Sequence, residues 1–269
     1  MKLIKLSARC KLAWRLTRVF FHVFAGLATC TFVFPWLSAA SRNGHIGRWS
    51  RRLVAICGVS VEQAPGHPVL EHAMVVANHV SWLDIFVINA LQPCRFVAKA
   101  EIRAWPVLGS LAARAGTVFI ARGNRNELRQ LFKGLVDSLE RGERVAFFPE
   151  GTTGSQGGLL PFHANLFEAA VDAKVQVQPY ALRYVDAAGQ LHHGVDFIGD
   201  MTFAESMVKI LSGPPLRAQL ACLAPIAAEG AHRRDVCAAS HAAIAAVLEG
   251  AAQEGAAREG AAQEGAAQA

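Results

Sequence analysis

The chain has 269 residues, a formal net charge of +6 and 52% hydrophobic residues, with a mean hydropathy of +0.26. That length suits one α/β domain beside a membrane-associated N-terminus, and the apolar excess sits in the first quarter of the chain. The basic residues do not interleave with aromatics, which argues against nucleic acid as a partner, and the six cysteines form no CxxC pair, which implies reduced thiols facing the cytosol and no zinc site.

The N-terminus opens with Lys2, Lys5, Arg9, Lys11, Arg15 and Arg18, a basic cluster suited to an anionic membrane surface. Val19 to Ser41 then carry no charged side chain; as a helix this run would span about 35 Å, enough to cross a bilayer. Arg42, Arg48, Arg51 and Arg52 follow it, so both flanks are basic. A single crossing shows asymmetric flanks, so the pattern favours a segment that enters and returns or lies in the interface, with Pro35 permitting a kink. Ile46 to Val59 alternates arginine with apolar residues and reads as an amphipathic interfacial helix. The expected organisation is membrane-associated helices over 1–60, an α/β domain over 61–248 and a tail over 249–269.

Within the domain, Ala73–Ala77 reads as a short buried strand and Trp82–Leu91 as a helix. Arg95–Ala98 and Thr117–Ala121 read as strands, and the apolar stripe of Glu127–Glu140 as a helix. Arg144–Phe148 is a further strand, Leu159–Ala173 a helix and Val175–Tyr184 extended. Arg217–Leu223 is a late strand and Arg233–Leu248 a final helix. This alternation predicts an α/β fold with a mixed, mostly parallel sheet flanked by helices. After Leu248 the chain repeats Glu-Gly-Ala-Ala, and glycine at every fifth position predicts a low-complexity, disordered tail.

Four short segments carry candidate chemistry. The first is Asn78-His79-Val80-Ser81-Trp82-Leu83-Asp84, directly after a strand. If Ser81 caps the next helix, Asp84 falls in its first turn and His79 on the preceding loop, and the two side chains can converge. The carboxylate then fixes the imidazole tautomer and leaves the other ring nitrogen as a base. The alternative is a plain Ser81–Asp84 capping box with a bystander histidine. The second segment is Phe148-Pro149-Glu150-Gly151-Thr152-Thr153, at a strand end where α/β proteins bind ligands. The third is Lys99-Ala100-Glu101 followed by Pro106, Gly109, Gly116 and Arg122, an arginine able to hold a phosphate in a bidentate manner. The fourth is Val177-Gln178-Pro179-Tyr180-Ala181, with proline expected at a bulge or on an edge strand. His192 and His193 fall in a hairpin turn and read as solvated rather than metal-binding.

In this order the four segments resemble the bacterial 1-acylglycerol-3-phosphate acyltransferases, over roughly residues 15 to 245. The resemblance implies an N-terminal two-helix membrane motif. It also implies transfer of a fatty acyl group from a thioester to the sn-2 hydroxyl of a lysophosphatidic acid. His79 would be the general base and Asp84 its orienting partner. Arg122, Glu150 and Gly151 would belong to the acceptor-phosphate region, with Thr152 nearby and Lys99 a neighbour of the reacting centre. The implied partners are a lysolipid, an acyl carrier protein or coenzyme A thioester, and membrane lipid. No cofactor beyond that co-substrate is implied. The implied location is the inner membrane, with the catalytic domain facing the cytoplasm.

One segment departs from the family pattern. Where these enzymes often show Phe-Lys-x-Gly, this chain reads Phe162-His163-Ala164-Asn165. That variant is similar to acyltransferases acting on lyso-ornithine lipid, so a phosphate-free acceptor is the alternative. A lipid hydrolase and a non-catalytic membrane-surface protein are further alternatives. The lack of a Gly-x-Ser-x-Gly elbow weighs against the hydrolase, and the intact His79 and Asp84 against loss of activity.

Overall fold

The computed structural model describes residues 2–120 and 125–267. Helix α1 (Lys2–Ala28) passes through a wide turn at Thr29–Val33 and a tight one at Phe34–Trp36, and helix α2 (Ala39–Ile56) returns. Pro35 sits in the tight turn, where its missing N–H breaks no helical bond, and the Ser38 hydroxyl caps α2 by accepting from the Ser41 N–H. The two helices form a hairpin. The His22 ring stacks on Trp49 with centroids 4.7 Å apart, the Trp49 indole N–H donates to the His22 carbonyl, and Gly26 leaves the space that the indole fills. Among the described residues, Arg9–Trp36 is the one segment long and apolar enough to cross a membrane, with 28 residues and a mean hydropathy of 1.6.

α2 differs from the free interfacial helix expected from its pattern. Leu53, Val54 and Ile56 are buried, and Gly47 lies against Asn89 and Pro93 at the end of the next helix. The same apolar stripe that reads as interfacial is covered by protein, and only its arginine face remains outside. The sheet domain also starts earlier than expected, with strand β1 (Val59–Gln63) beginning three residues after α2 ends.

The remaining elements are β2 (Met74–Ala77), α3 (Asp84–Leu91), β3 (Arg95–Lys99), α4 (Leu108–Arg114), β4 (Val118–Ile120), α5 (Arg125–Glu140), β5 (Val145–Phe147), α6 (Glu168–Asp172), β6 (Val177–Val185), α7 (Phe203–Ser212), β7 (Leu216–Cys222) and α8 (Arg233–Ala267). They build a seven-stranded sheet in the order β1-β7-β6-β2-β5-β3-β4. Among the described residues every neighbouring pair is parallel except β6 with β7. The mixed, mostly parallel sheet expected from the alternation is therefore present.

Period-2 alternation divides the core between the two faces of the sheet. Val75, Ala77, Tyr180, Leu182 and Tyr184 pack with residues of α2, α3 and α7. Met74, Val76, Val145, Phe147 and Val177 pack with α5, α6 and α8. Leu12, Leu16 and Val19 of α1 join the first cluster, and Arg15 of α1 donates to the Leu211 carbonyl at the end of α7 at 2.9 Å. The N-terminal hairpin is thus joined to the sheet domain by both packing and a helix cap.

Three further elements differ from the sequence reading. Pro179 is not on an edge, because β6 lies between β2 and β7; the β7 register begins one residue later, at Tyr180. The helix expected over Leu159–Ala173 is confined to a short turn at Ala164–Phe167 and α6, because the preceding segment wraps the site instead. α8 does not stop at Leu248 but continues through the Glu-Gly-Ala-Ala repeat to Ala267. Alanine, glutamine and glutamate favour a helix strongly enough to carry one glycine in five.

Candidate active site

Four parallel strands end on one edge of the sheet, where β2 and β5 lead into the first two expected segments and β3 ends at the start of the third. β2 ends at Ala77 and hands on Asn78 and His79. β5 ends at Phe147 and hands on Phe148, Pro149 and Glu150. β3 ends at Lys99. β4 ends at Ile120, beside Lys99 in the register, and Arg122 lies just beyond it, outside the described residues. Ligand sites of α/β sheets gather at this carboxyl edge.

His79 and Asp84 do converge. His79 Nδ1 lies 2.7 Å from Asp84 Oδ2, with Asp84 fully buried and the His79 side chain 18% exposed. The helix does not begin as expected, however. Ser81 is not its cap; α3 starts at Asp84 itself, and the Asp84 N–H bonds to the Ser81 carbonyl at 3.1 Å. The carboxylate turns back over its own helix end and accepts the backbone N–H groups of Val80 at 2.7 Å and Ser81 at 2.9 Å. A fourth donor, the Tyr184 hydroxyl, reaches Asp84 Oδ1 at 2.7 Å from β6. Four donors and no acceptor match the acceptor-only valence of a carboxylate. With Nδ1–H donated to Asp84, the imidazole keeps the lone pair on Nε2, the arrangement of a general base.

The ring itself is clamped from below. His79 stacks on Phe148 with centroids 3.8 Å apart and planes 7° from parallel, and Phe148 in turn stacks on Phe96 of β3. Its backbone is held as well. The His79 N–H donates to Glu150 Oε1 at 2.6 Å, and the His79 carbonyl accepts from Gly154 at 2.7 Å. Asn78 fixes the loop to β6 by bonding both backbone groups of Leu182, each at 2.8 Å. Its amide thus prolongs the ladder one residue beyond the end of β2.

In the second segment, the Glu150 carboxylate turns to the backbone of its neighbours. Glu150 is buried, and its other oxygen accepts from the Leu160 N–H at 3.0 Å. Both oxygens therefore tie backbone together. Burial pushes the Glu150 carboxyl above its usual range, partly offset by those two N–H donors. Glu150 acts here as the post that holds the His79 loop against the next turn. Gly151 has φ +68°, which a side chain rarely adopts, and His163 lies over it, close to where a Cβ would stand. Thr152 is exposed beside them, and Lys99 is exposed at the end of β3. Thr153, Ser155 and Gln156 anchor the following loop. Thr153 bonds the Phe197 carbonyl, and Ser155 bonds Asp196 Oδ2 at 2.7 Å. His193 also turns to Asp196, at 2.9 Å, rather than standing free in its turn.

Comparison with known proteins follows the same outline. The family model described as Acyltransferase matches residues 59–183. A 1-acyl-sn-glycerol-3-phosphate acyltransferase of Neisseria meningitidis is 45% identical over 153 residues, which are 56% of this chain and 59% of that protein. The match thus spans somewhat more than half the length of that relative. A lyso-ornithine lipid O-acyltransferase of Pseudomonas aeruginosa is 35% identical over 254 residues, covering 91% of this chain and 96% of the relative. The chain belongs to the same acyltransferase family as this relative. The fold of this acyltransferase is also that of a solved structure, the 1-acyl-sn-glycerophosphate acyltransferase of Thermotoga maritima. The two share a TM-score of 0.65 and 21% identity, over 93% of this chain and 97% of that one.

Sequence reasoning missed Tyr184 in this acyltransferase, because no local pattern pairs it with Asp84 across 100 positions. It also missed α7, although the sequence carried the signal. Thr202 and Glu205 form a reciprocal capping box ahead of an apolar run.

Proposed function

We propose that the protein transfers a fatty acyl group from an acyl thioester, carried by acyl carrier protein or coenzyme A, to the sn-2 hydroxyl of 1-acylglycerol-3-phosphate, giving phosphatidic acid. The observation that carries this reading is the His79–Asp84 pair, with Nε2 of a tautomer-locked imidazole left available at the carboxyl edge of the sheet. A lysolipid hydroxyl is a weak nucleophile near neutral pH. His79 Nε2 takes its proton as the oxygen attacks the thioester carbonyl. The tetrahedral intermediate then collapses, the C–S bond breaks, and the departing thiolate takes the proton back from the imidazolium. No acyl-enzyme is needed, and the reaction needs no cofactor beyond its co-substrate.

In this reading Asp84 orients the base, and Glu150 sets the backbone from which His79 projects. Gly151, Thr152 and Arg122 would surround the acceptor phosphate, with Lys99 as a nearby cation. The N-terminal hairpin would hold this edge at the inner membrane, the catalytic domain facing the cytoplasm. The higher identity to the Neisseria meningitidis relative over the shared segment favours 1-acylglycerol-3-phosphate as acceptor.

A second reading has its own support. The match to the lyso-ornithine lipid O-acyltransferase runs nearly end to end, and His163, in place of the usual lysine, lies over Gly151. The deciding experiment offers purified enzyme in lipid a labelled acyl thioester with lysophosphatidic acid and lyso-ornithine lipid side by side. Conversion of lysophosphatidic acid alone supports the first reading. Preference for lyso-ornithine lipid replaces the acceptor and removes the phosphate role of Arg122. Release of free fatty acid without an acylated product would overturn acyl transfer itself.

A further inference from the structure

We infer that Tyr184 is a positioning residue of the dyad, whose buried hydroxyl holds Asp84 Oδ1 and so sets the pH range over which His79 is free to act as base. The inference rests on the reading of His79 as that base.

The placement follows from the unequal lengths of two neighbouring strands. β2 ends at Ala77, opposite Tyr180, whereas β6 runs on to Val185. The overhang of β6 flanks the loop that carries His79. Asn78 locks that loop to Leu182, and two residues further on, on the same face, stands Tyr184. The Tyr184 backbone is fixed on both sides. Its N–H donates to Gln156 Oε1 at 2.6 Å, and its carbonyl accepts from the His192 N–H at 3.0 Å. The phenol is fully buried. Burial first, then the Asp84 charge, keeps its proton bound far above the ordinary tyrosine range, so the hydroxyl stays a donor.

The two oxygens of Asp84 are unequally served. Oδ2 receives His79, Val80 and Ser81. Among the described residues, the donor to Oδ1 is Tyr184 alone. A donor at Oδ1 draws charge away from the oxygen that faces His79. Without it a bare oxygen is left in a buried place, and the carboxylate can relieve this in two ways. It can hold the imidazolium more tightly, or it can take a proton itself. Both disable the base at low pH and both move the acid limb of kcat/KM upward. Among the described residues, the other titratable groups facing this cluster are Glu150, bonded to the His79 backbone, and Cys57 at the end of α2. Burial pushes the Cys57 thiol up to about 12, so it remains neutral.

The test is a pH profile of kcat/KM for full-length wild-type and Tyr184→Phe enzyme in lipid, using whichever lysolipid the wild type converts. The expected result is an acid limb moved upward by roughly half to one pH unit, so that loss is several-fold to tenfold on the limb and smaller on the plateau. Replacing Tyr184 with a ring-fluorinated tyrosine, a stronger donor of nearly the same shape, should move the limb downward. Direct titration of the His79 imidazole by NMR should follow the same order across the three proteins. A loss that is uniform across pH, with the limb and the imidazole titration unmoved in both variants, would reduce Tyr184 to a core residue and overturn the inference. His79→Ala separates the two claims. If it keeps turnover, the base assignment falls; if it is inactive while the limb stays put, only the role of Tyr184 falls.

Discussion

His79 Nδ1 and Asp84 Oδ2 lie 2.7 Å apart, and Asp84 is fully buried while the imidazole retains an open edge. One partner is thus held by the fold and the other presented to substrate. His79→Ala should lower turnover by on the order of 100- to 10,000-fold with little change in thermal midpoint, since it removes the proposed base and leaves the carboxylate with its other three donors. Asp84→Asn should cost a comparable factor by a different route. The amide turns an N–H toward groups that are themselves donors, so the imidazole loses its tautomer and the helix start loses its cap. Stopped assays with a labelled thioester, run beside melting curves, check both. An Asp84→Asn enzyme with full turnover would contradict the dyad.

Glu150 offers a stability test with a defined sign. Its carboxyl is raised by burial, so the folded state holds the proton more tightly than the unfolded chain. Its contribution is therefore greatest below the unfolded value and is lost as pH rises through the folded one. The thermal midpoint of wild type relative to Glu150→Gln should decline as pH rises above the ordinary glutamate range. The glutamine enzyme should also lose turnover, because an amide can serve only one of the two backbone N–H groups of His79 and Leu160. A midpoint difference that does not vary with pH would refute the buried-carboxyl account.

Gly109→Ala probes the turn before α4. A Cβ at this position would meet the backbone carbonyls of Arg103 and Ile102, which cannot swing aside as a side chain could. The expected cost is about 1–3 kcal/mol, read as a lower melting temperature of the purified enzyme. An unchanged midpoint would mean that the Ala100–Ala104 turn shifts freely.

The hairpin exposes large apolar side chains, with Trp36 87% and Phe32 72% exposed at its tip. The double substitution Phe32→Ser and Trp36→Ser should weaken co-flotation with anionic vesicles several-fold while the fold of the sheet domain is retained, because both residues are remote from the main cores. Equal flotation of the variant would assign membrane binding to the basic residues instead.

Arg122→Ala tests the acceptor. If this arginine holds a phosphate, the KM for lysophosphatidic acid should rise roughly tenfold or more with kcat less affected. Conversion of lyso-ornithine lipid should be far less sensitive. An unaltered KM for lysophosphatidic acid would remove Arg122 from the acceptor site.

The parts of this protein legible in the sequence were those governed by short-range order. Runs such as Ala73–Ala77 and Arg144–Phe148 announce buried strands, and their order with the helices announces a mostly parallel sheet. Because parallel strands end on one edge, segments that follow such strands gather there, as His79 and Glu150 do. The spacing of His79 and Asp84 also allowed their pairing once a helix began between them, though at Asp84 rather than at Ser81.

What only the tertiary structure decided is which buried face meets which partner. An amphipathic stripe states that α2 must cover its apolar side, and it is silent on whether lipid or α3 does so. A glutamate in a turn looks the same in sequence whether it faces a ligand or, as Glu150 does, two backbone N–H groups. Tyr184 reaches Asp84 because β6 outruns β2, a difference in strand length that exists only after the strands have paired. Local propensity acts over a few residues, whereas the charge balance around His79 is set by hydrogen bonds between chain segments some 100 positions apart.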